Sequence, residues 1–174
     1  MTTLSEGDLR LTLPGHVAGR KFDGAEHGLS HCGLKAVDWI LELPERIYFV
    51  EVKDPETPGA KEHKESNQFL QGFLSGNLTS DLVAKFRDSF LYEWACDRAG
   101  KPVSYYVIVA SRTLDDAQLL TRSDDLKRRL PVGTPADWTR PIAHGCYVVN
   151  VAKWNEMFPQ YPLSRHSAGD SEAS

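Results

Sequence analysis

A chain of 174 residues with 41% hydrophobic and 25% charged residues can bury a full core, which excludes a disordered, fibrous or linker role. Its 20 Lys and Arg against 24 Asp and Glu leave a net charge of -4, which excludes coating of nucleic acid through overall charge and leaves only a local basic patch for that purpose. A single domain over residues 1–174 is the expectation, because one domain commonly takes about 100–200 residues.

Residues 1–34 are rich in Gly and His and read mostly as loop, with one short element around Leu9 to Leu13. Lys35 to Leu43 and Arg46 to Asp54 are two runs dense in Val, Ile, Trp, Tyr and Phe around the turn Pro44-Glu45, the signal of a β-hairpin. Asp54 to Ser66, with Pro55, Pro58, Gly59 and many charges, reads as a solvated loop, and a helix is expected from Asn67. Ser80 is placed as an N-cap for a helix from Asp81 to Ala99, closed by Gly100 and Pro102, with Leu82, Val83, Phe86, Phe90 and Trp94 along one face. Val103 to Ala110 is a short apolar run of the kind buried on both faces of a sheet. A weaker amphipathic helix from Asp115 to Leu130, a strand from Cys146 to Val151, a short helix from Lys153 to Phe158 and a flexible tail from Ser164 to Ser174 complete the chain.

The hairpin carries the chemistry. With the turn centred between Pro44 and Glu45, Leu43 faces Arg46, Glu42 faces Ile47, and the register sets Asp38 opposite Glu51. Lys53, two residues beyond Glu51, shares that face. The other face reads Val37, Trp39, Leu41 and Leu43 beside Tyr48, Val50 and Val52, which is core; the charged face also carries Ala36, Ile40, Ile47 and Phe49, so the trio sits at one end of a covered surface. Two facing carboxylates in such a place require a positive neighbour. A hard divalent cation such as Mg²⁺ or Mn²⁺ meets that need with oxygen ligands, and Lys53 beside it can orient an attacking water or neutralise a phosphoryl oxygen.

Asp38, then twelve residues, then Glu51-Val52-Lys53 on the following strand resembles the signature of the PD-(D/E)xK nuclease superfamily. The resemblance covers residues 35–54, and the downstream order of helix then strand is similar to the superfamily's core. It implies an α/β, restriction-endonuclease-like fold: a mixed central sheet flanked by helices, with an antiparallel hairpin carrying the site. It further implies that Asp38, Glu51 and the backbone carbonyl of Val52 hold Mg²⁺ or Mn²⁺ while Lys53 assists water attack on a phosphodiester, in DNA above all. Val37 stands in place of the signature's proline. Glu26 is the candidate for an early acidic residue, and Gln68, 15 residues after Lys53, is similar to the glutamine motif of exonuclease-like members, with Gly72 where an aromatic is expected.

The tripeptide pattern alone carries nothing, since Glu62-His63-Lys64 and Asp125-Leu126-Lys127 repeat it outside any hairpin. For Asp38, Glu51 and Lys53 the plainer reading is a cross-strand salt bridge. Lys85 and Arg87, early in the long helix, are candidates for substrate phosphates against the plainer reading of a solvated helix flank, with Arg87 nearer the apolar stripe. Arg112 is read as an exposed strand-end residue that can also face the site, and Lys127, Arg128 and Arg129 as cations at a helix C-terminus. Glu93, near the centre of the stripe, implies either a buried pair with a basic residue or a misplaced helix face. His16, His27, His31 and Cys32 have no recognised ligand spacing. Cys32, Cys96 and Cys146 are odd in number and hold no C-x-x-C pair, which argues against a disulfide framework and for a reducing compartment. Without a signal-like leader or an apolar run of about 18 residues, the expected location is the cytoplasm, away from membranes.

The expectation is thus a metal-dependent nuclease. Its acidity makes a homodimer or a separate targeting subunit the expected source of substrate affinity. The alternative is an inactive domain of the same fold that serves as a protein- or nucleic-acid-binding module.

Overall fold

A computed structural model describes residues 1–24, 28–56 and 62–166, the side chains of 62–66 excepted. Eight strands and four helices are described: β1 (Thr2–Glu6), β2 (Leu9–Leu13), β3 (Ala18–Lys21), β4 (Trp39–Glu42), β5 (Ile47–Lys53), α1 (Glu62–Leu74), α2 (Thr79–Ala95), β6 (Val103–Val109), α3 (Asp116–Arg129), β7 (Gly145–Val149), α4 (Val151–Met157) and β8 (Leu163–Arg165), with a 3-10 turn at Leu29–Cys32. The fold is α/β. Five strands form a mixed sheet in the order β3-β4-β5-β6-β7, and β1-β2-β8 form a second, antiparallel sheet.

The predicted hairpin is present with the predicted register. Leu43 N–H donates to Arg46 C=O (2.9 Å), and Glu42 pairs with Ile47, Leu41 with Tyr48, Ile40 with Phe49 and Trp39 with Val50. Strand β4 begins only at Trp39, so the segment from Lys35 to Asp38 is not strand. Its backbone is held from the side by α2, where Lys35 N–H donates to Asp88 Oδ2 (2.8 Å) and Val37 N–H to Ser89 Oγ (3.0 Å). Val37 therefore joins the cluster under the helices and not the opposite face to which strict alternation assigned it.

Strands β5 and β6 run parallel, as do β6 and β7. Parallel neighbours need a crossover connection. Helices α1 and α2 supply the first and α3 the second, and both pack on one face of the sheet through Phe73, Leu82, Val83, Phe86, Leu119 and Leu126. The opposite face, with Trp39, Leu41, Tyr48, Val50 and Val52, is covered by the small sheet and by Trp154 and Phe158 of the α4 region. With both faces covered, every residue of β6 is buried, as its unbroken apolar run requires. Ile40 and Phe49 of the sheet and Phe86 of α2 are fully buried, each worth about 1.5–3 kcal/mol of transfer free energy.

Several sequence expectations are corrected. Residues 1–34 are not mostly loop: Leu4, Leu9, Leu11 and Leu13 alternate with polar residues and are buried, while Gly7, at φ 55°, takes the left-handed turn between β1 and β2. A run of only five residues each side hides this pairing from a helix-sized window. Helix α1 begins at Glu62, inside the stretch read as loop up to Ser66. Helix α2 starts at Thr79, one residue before the proposed Ser80 cap, and stops at Ala95 because Asp97 turns left-handed at φ 60°. Its buried stripe is Leu82, Val83, Phe86, Ser89 and Glu93, and Trp94 lies off it with 55% of its surface exposed. Of the predicted tail, Ser164 and Arg165 belong to β8, which pairs with β2; residues 167–174 lie outside the described residues.

Helix α3 agrees closely with expectation. Asp115 caps it, accepting from Gln118 N–H while the Gln118 side chain returns a bond to Asp115 N–H. Asn150 caps α4 in the same manner, accepting from Lys153 N–H, which ends β7 at Val149 and starts the helix at Val151, two residues before the predicted Lys153.

Candidate functional site

Glu51 lies in the middle strand of the mixed sheet and is fully buried. Asp38 sits one residue before β4, at the position that continues the hairpin register opposite Glu51, and is 6% exposed. The crossover through α1 and α2 lays Lys85 over this spot. Lys85 Nζ lies 2.6 Å from Glu51 Oε1 and 3.6 Å from Asp38 Oδ1, so one ammonium touches both carboxylates and fixes them on the same face. Lys53 Nζ reaches the same Glu51 oxygen at 2.6 Å from two positions along the strand. The facing of Asp38, Glu51 and Lys53 read from the sequence is therefore present.

The cluster holds two acids and two ammonium groups. Burial, followed by the charge of Glu51, pushes the Asp38 carboxyl up to about 7, against the opposing pull of Lys85, the Val52 N–H and Lys53. The Val52 N–H donates to Asp38 Oδ2 at 2.6 Å. Burial works against charge on Lys85, but the carboxylates of Glu51 and Asp38 outweigh it and hold its ammonium above the ordinary lysine range. Glu51 Oε2 is buried and has no hydrogen-bond partner. A buried carboxylate oxygen without a donor is costly and calls for a partner such as a water or an ion.

The donor set fits a hard divalent cation in kind. Its side-chain donors are carboxylate oxygens, one of them unpartnered, with ammonium groups beside them. The set is small: among the described residues no group of three or more His, Cys, Asp or Glu side chains converges. His16, His31 and Cys32, all exposed, form no such group, and His27 and Glu26 lie outside the described residues.

The other candidates divide. Lys85, read with a solvated flank as the plainer option, is instead joined to the acids; its signal was the spacing Leu82, Lys85, Ser89 along the buried stripe. Arg87, two residues on, points to another side of α2 and borders a groove with Phe90 and Trp94. Gln68 lies exposed on α1. Arg112 is exposed and held near Glu56. Lys127 and Arg128 pair with Asp124 and Asp125 on α3, as cations of a helix C-terminus do. Glu93 resolves as the buried pair: it is 1% exposed and receives Arg20 together with Arg98 at 2.9 Å.

No family model, curated protein or solved structure matches the chain.

Proposed function

We propose that this protein is a metal-dependent phosphodiester hydrolase of restriction-endonuclease-like architecture, acting on DNA. The observation that carries the reading is the meeting of Asp38 and Glu51 at one ammonium, with Lys53 alongside and Glu51 Oε2 buried without a donor. The mixed sheet supports it, since its antiparallel hairpin carries Glu51, with Asp38 just before its first strand, and its parallel strand follows a helical crossover.

Asp38, Glu51 and the Val52 carbonyl would hold Mg²⁺ or Mn²⁺, which when bound supplies Lewis acidity at a phosphoryl oxygen and a more acidic water. The chain's own groups do the rest. Lys53, a quarter exposed at the end of β5, stands where it can meet both solvent and substrate and orients the attacking water. Lys85, partly exposed beside both acids, would present its charge to a non-bridging phosphate oxygen of the substrate. The net charge of -4 supports a homodimer or a separate targeting subunit as a further source of affinity. Cys32, Cys96 and Cys146 are all free, in keeping with a reducing compartment such as the cytoplasm, and no helix among the described residues is long and apolar enough to cross a membrane.

A second reading rests on the same contact. Lys85 and Lys53 already balance the two acids, so a non-catalytic domain of this architecture needs no metal. Two measurements separate the readings. Purified protein is assayed with Mg²⁺ or Mn²⁺ on linear, circular and single-stranded DNA beside Asp38→Ala and Lys53→Ala, and Mn²⁺ binding is titrated in the parent and in Glu51→Gln. Hydrolysis lost in both substitutions, with Mn²⁺ binding dependent on Glu51, supports the nuclease. Absence of both hydrolysis and binding selects the inactive module, and hydrolysis that survives both substitutions moves the site elsewhere.

A further inference from the structure

Of the four tryptophans, Trp39 and Trp154 are fully buried, whereas Trp94 and Trp138 are 55% and 44% exposed. Both exposed indoles border a single groove of about 540 Å³, floored by Phe90 and Ile142. Trp94 comes from α2 and Trp138 from the segment between α3 and β7. A large exposed indole is costly to leave in water, and two facing one concavity mark a place where something binds.

Each wall pairs its indole with a guanidinium. Arg87 stands seven residues before Trp94, two turns along one face of α2, and Arg140 stands two residues after Trp138. Among the described residues neither arginine forms an ion pair. The Trp138 wall is set by its backbone: Asp137 is left-handed at φ 68°, and Trp138 N–H closes a turn on Pro135 C=O at 3.1 Å. A non-glycine residue at positive φ costs free energy and persists where the surroundings hold it. The groove continues into a second concavity of about 200 Å³ that shares Phe90, Arg140 and Ile142 and is edged by Lys101 and His144, so its charge along the run is basic apart from Asp137.

We propose that this groove binds an unpaired nucleic acid strand, with bases stacked on Trp94 and Trp138 and phosphates met by Arg87 and Arg140. A single strand alternates flat π-faces with anions, which matches an indole and a guanidinium on each wall. Base stacking on an aromatic side chain contributes about 1–3 kcal/mol per base and does not depend on sequence. A duplex hides its base faces and cannot use the indoles. The inference stands apart from hydrolysis, since a non-catalytic module would carry the same groove.

The two buried tryptophans make the test direct, because a bound strand can stack only on the exposed pair. The full chain in EDTA, where metal-dependent cleavage is silent, is titrated with a short oligothymidylate, a duplex of the same length and an acidic peptide, and tryptophan emission is followed. The expected result is quenching by the single strand, with affinity at least about tenfold weaker in Trp94→Leu and in Trp138→Leu, a loss of about 1.4 kcal/mol each. Two phosphate contacts give a salt slope of about -1.4 in log K against log salt, and Arg87→Gln or Arg140→Gln each reduces it by about 0.7. All four side chains are exposed, so the melting temperatures of these variants serve as the folding control. Absent quenching, quenching indifferent to Trp94 and Trp138, equal affinity for the duplex, or binding of the acidic peptide alone each overturns the proposal.

Discussion

Lys85 Nζ sits 2.6 Å from Glu51 Oε1 and stands between the helix layer and the middle strand of the sheet as the cation that two buried acids require. Within the proposed function, that ammonium competes with any divalent ion for the same oxygens. Lys85→Met is expected to bind Mn²⁺ about tenfold more tightly, equal to about 1.4 kcal/mol, while melting at a lower temperature in EDTA because Asp38 and Glu51 lose their shared partner. Electron paramagnetic resonance of free Mn²⁺ and a thermal scan read the two effects. Weaker Mn²⁺ binding in this variant would mean that Lys85 supports the ion and does not displace it.

Asp38 makes stability depend on pH in an unusual direction. Its carboxyl is pushed up to about 7 in the folded protein, whereas an unfolded aspartate titrates near 3.9. Between these values the folded state holds the proton more tightly than the unfolded chain, so this group's contribution to stability falls as pH rises from about 4 to about 7. Above about pH 7 the full penalty is present, with a ceiling of about 4 kcal/mol. Asp38→Asn, which keeps an acceptor for the Val52 N–H, is expected to raise the melting temperature at about pH 8 and to leave it nearly unchanged at about pH 4. A pH-independent difference in melting temperature would contradict the assignment.

Lys53 is the group whose removal separates chemistry from metal binding. Lys53→Met is expected to lower DNA hydrolysis by about 10²–10⁴-fold, the usual range for a positioned proton-transfer group. Mn²⁺ affinity is expected to hold or rise, since an ammonium beside Glu51 is lost. Parallel cleavage and Mn²⁺ titrations test this, and equal loss of both would place Lys53 in support of the ion alone.

Glu93 anchors a second buried network that is structural. Burial by itself raises its carboxyl, but the hydrogen bonds from Arg98 and Arg20 outweigh burial and hold it below the ordinary glutamate range. Glu93→Ala is expected to cost about 2 kcal/mol by urea unfolding at neutral pH, less than a fully buried pair because both arginines are part exposed. The difference shrinks as pH falls below about 4 and the parent's own carboxylate is protonated, since a depressed acid contributes stability only above its folded value. DNA cleavage by the variant is expected to match the parent after allowance for unfolded protein.

The hairpin could be read from sequence because period-two alternation, a Pro-containing turn and dense β-branched residues all agree, and the register then follows without freedom. The facing of Asp38 and Glu51 came with it. Lys85 is harder to read: the largest apolar side chains of α2 draw a stripe through Trp94 and leave Lys85 on its flank, although Glu93 near the centre of that stripe already marks a polar buried position. Burial on that helix follows the position of the sheet and not side-chain hydrophobicity, so Thr79, Ser89 and Glu93 are inside and an indole is outside. The small sheet is not legible in the sequence because β8 has three residues and its partner β2 is far away in the chain, and no local pattern specifies such a pairing.

That distant pairing bears on synthesis. Leu11 faces Leu163, so β2 leaves the ribosome about 150 residues before the strand that covers its edge, an interval of roughly 8–30 s at ordinary elongation rates. During that time an apolar hairpin stands with one side open to any extended peptide nearby. A nascent chain stalled before β8 therefore keeps open an edge that a holdase can cover.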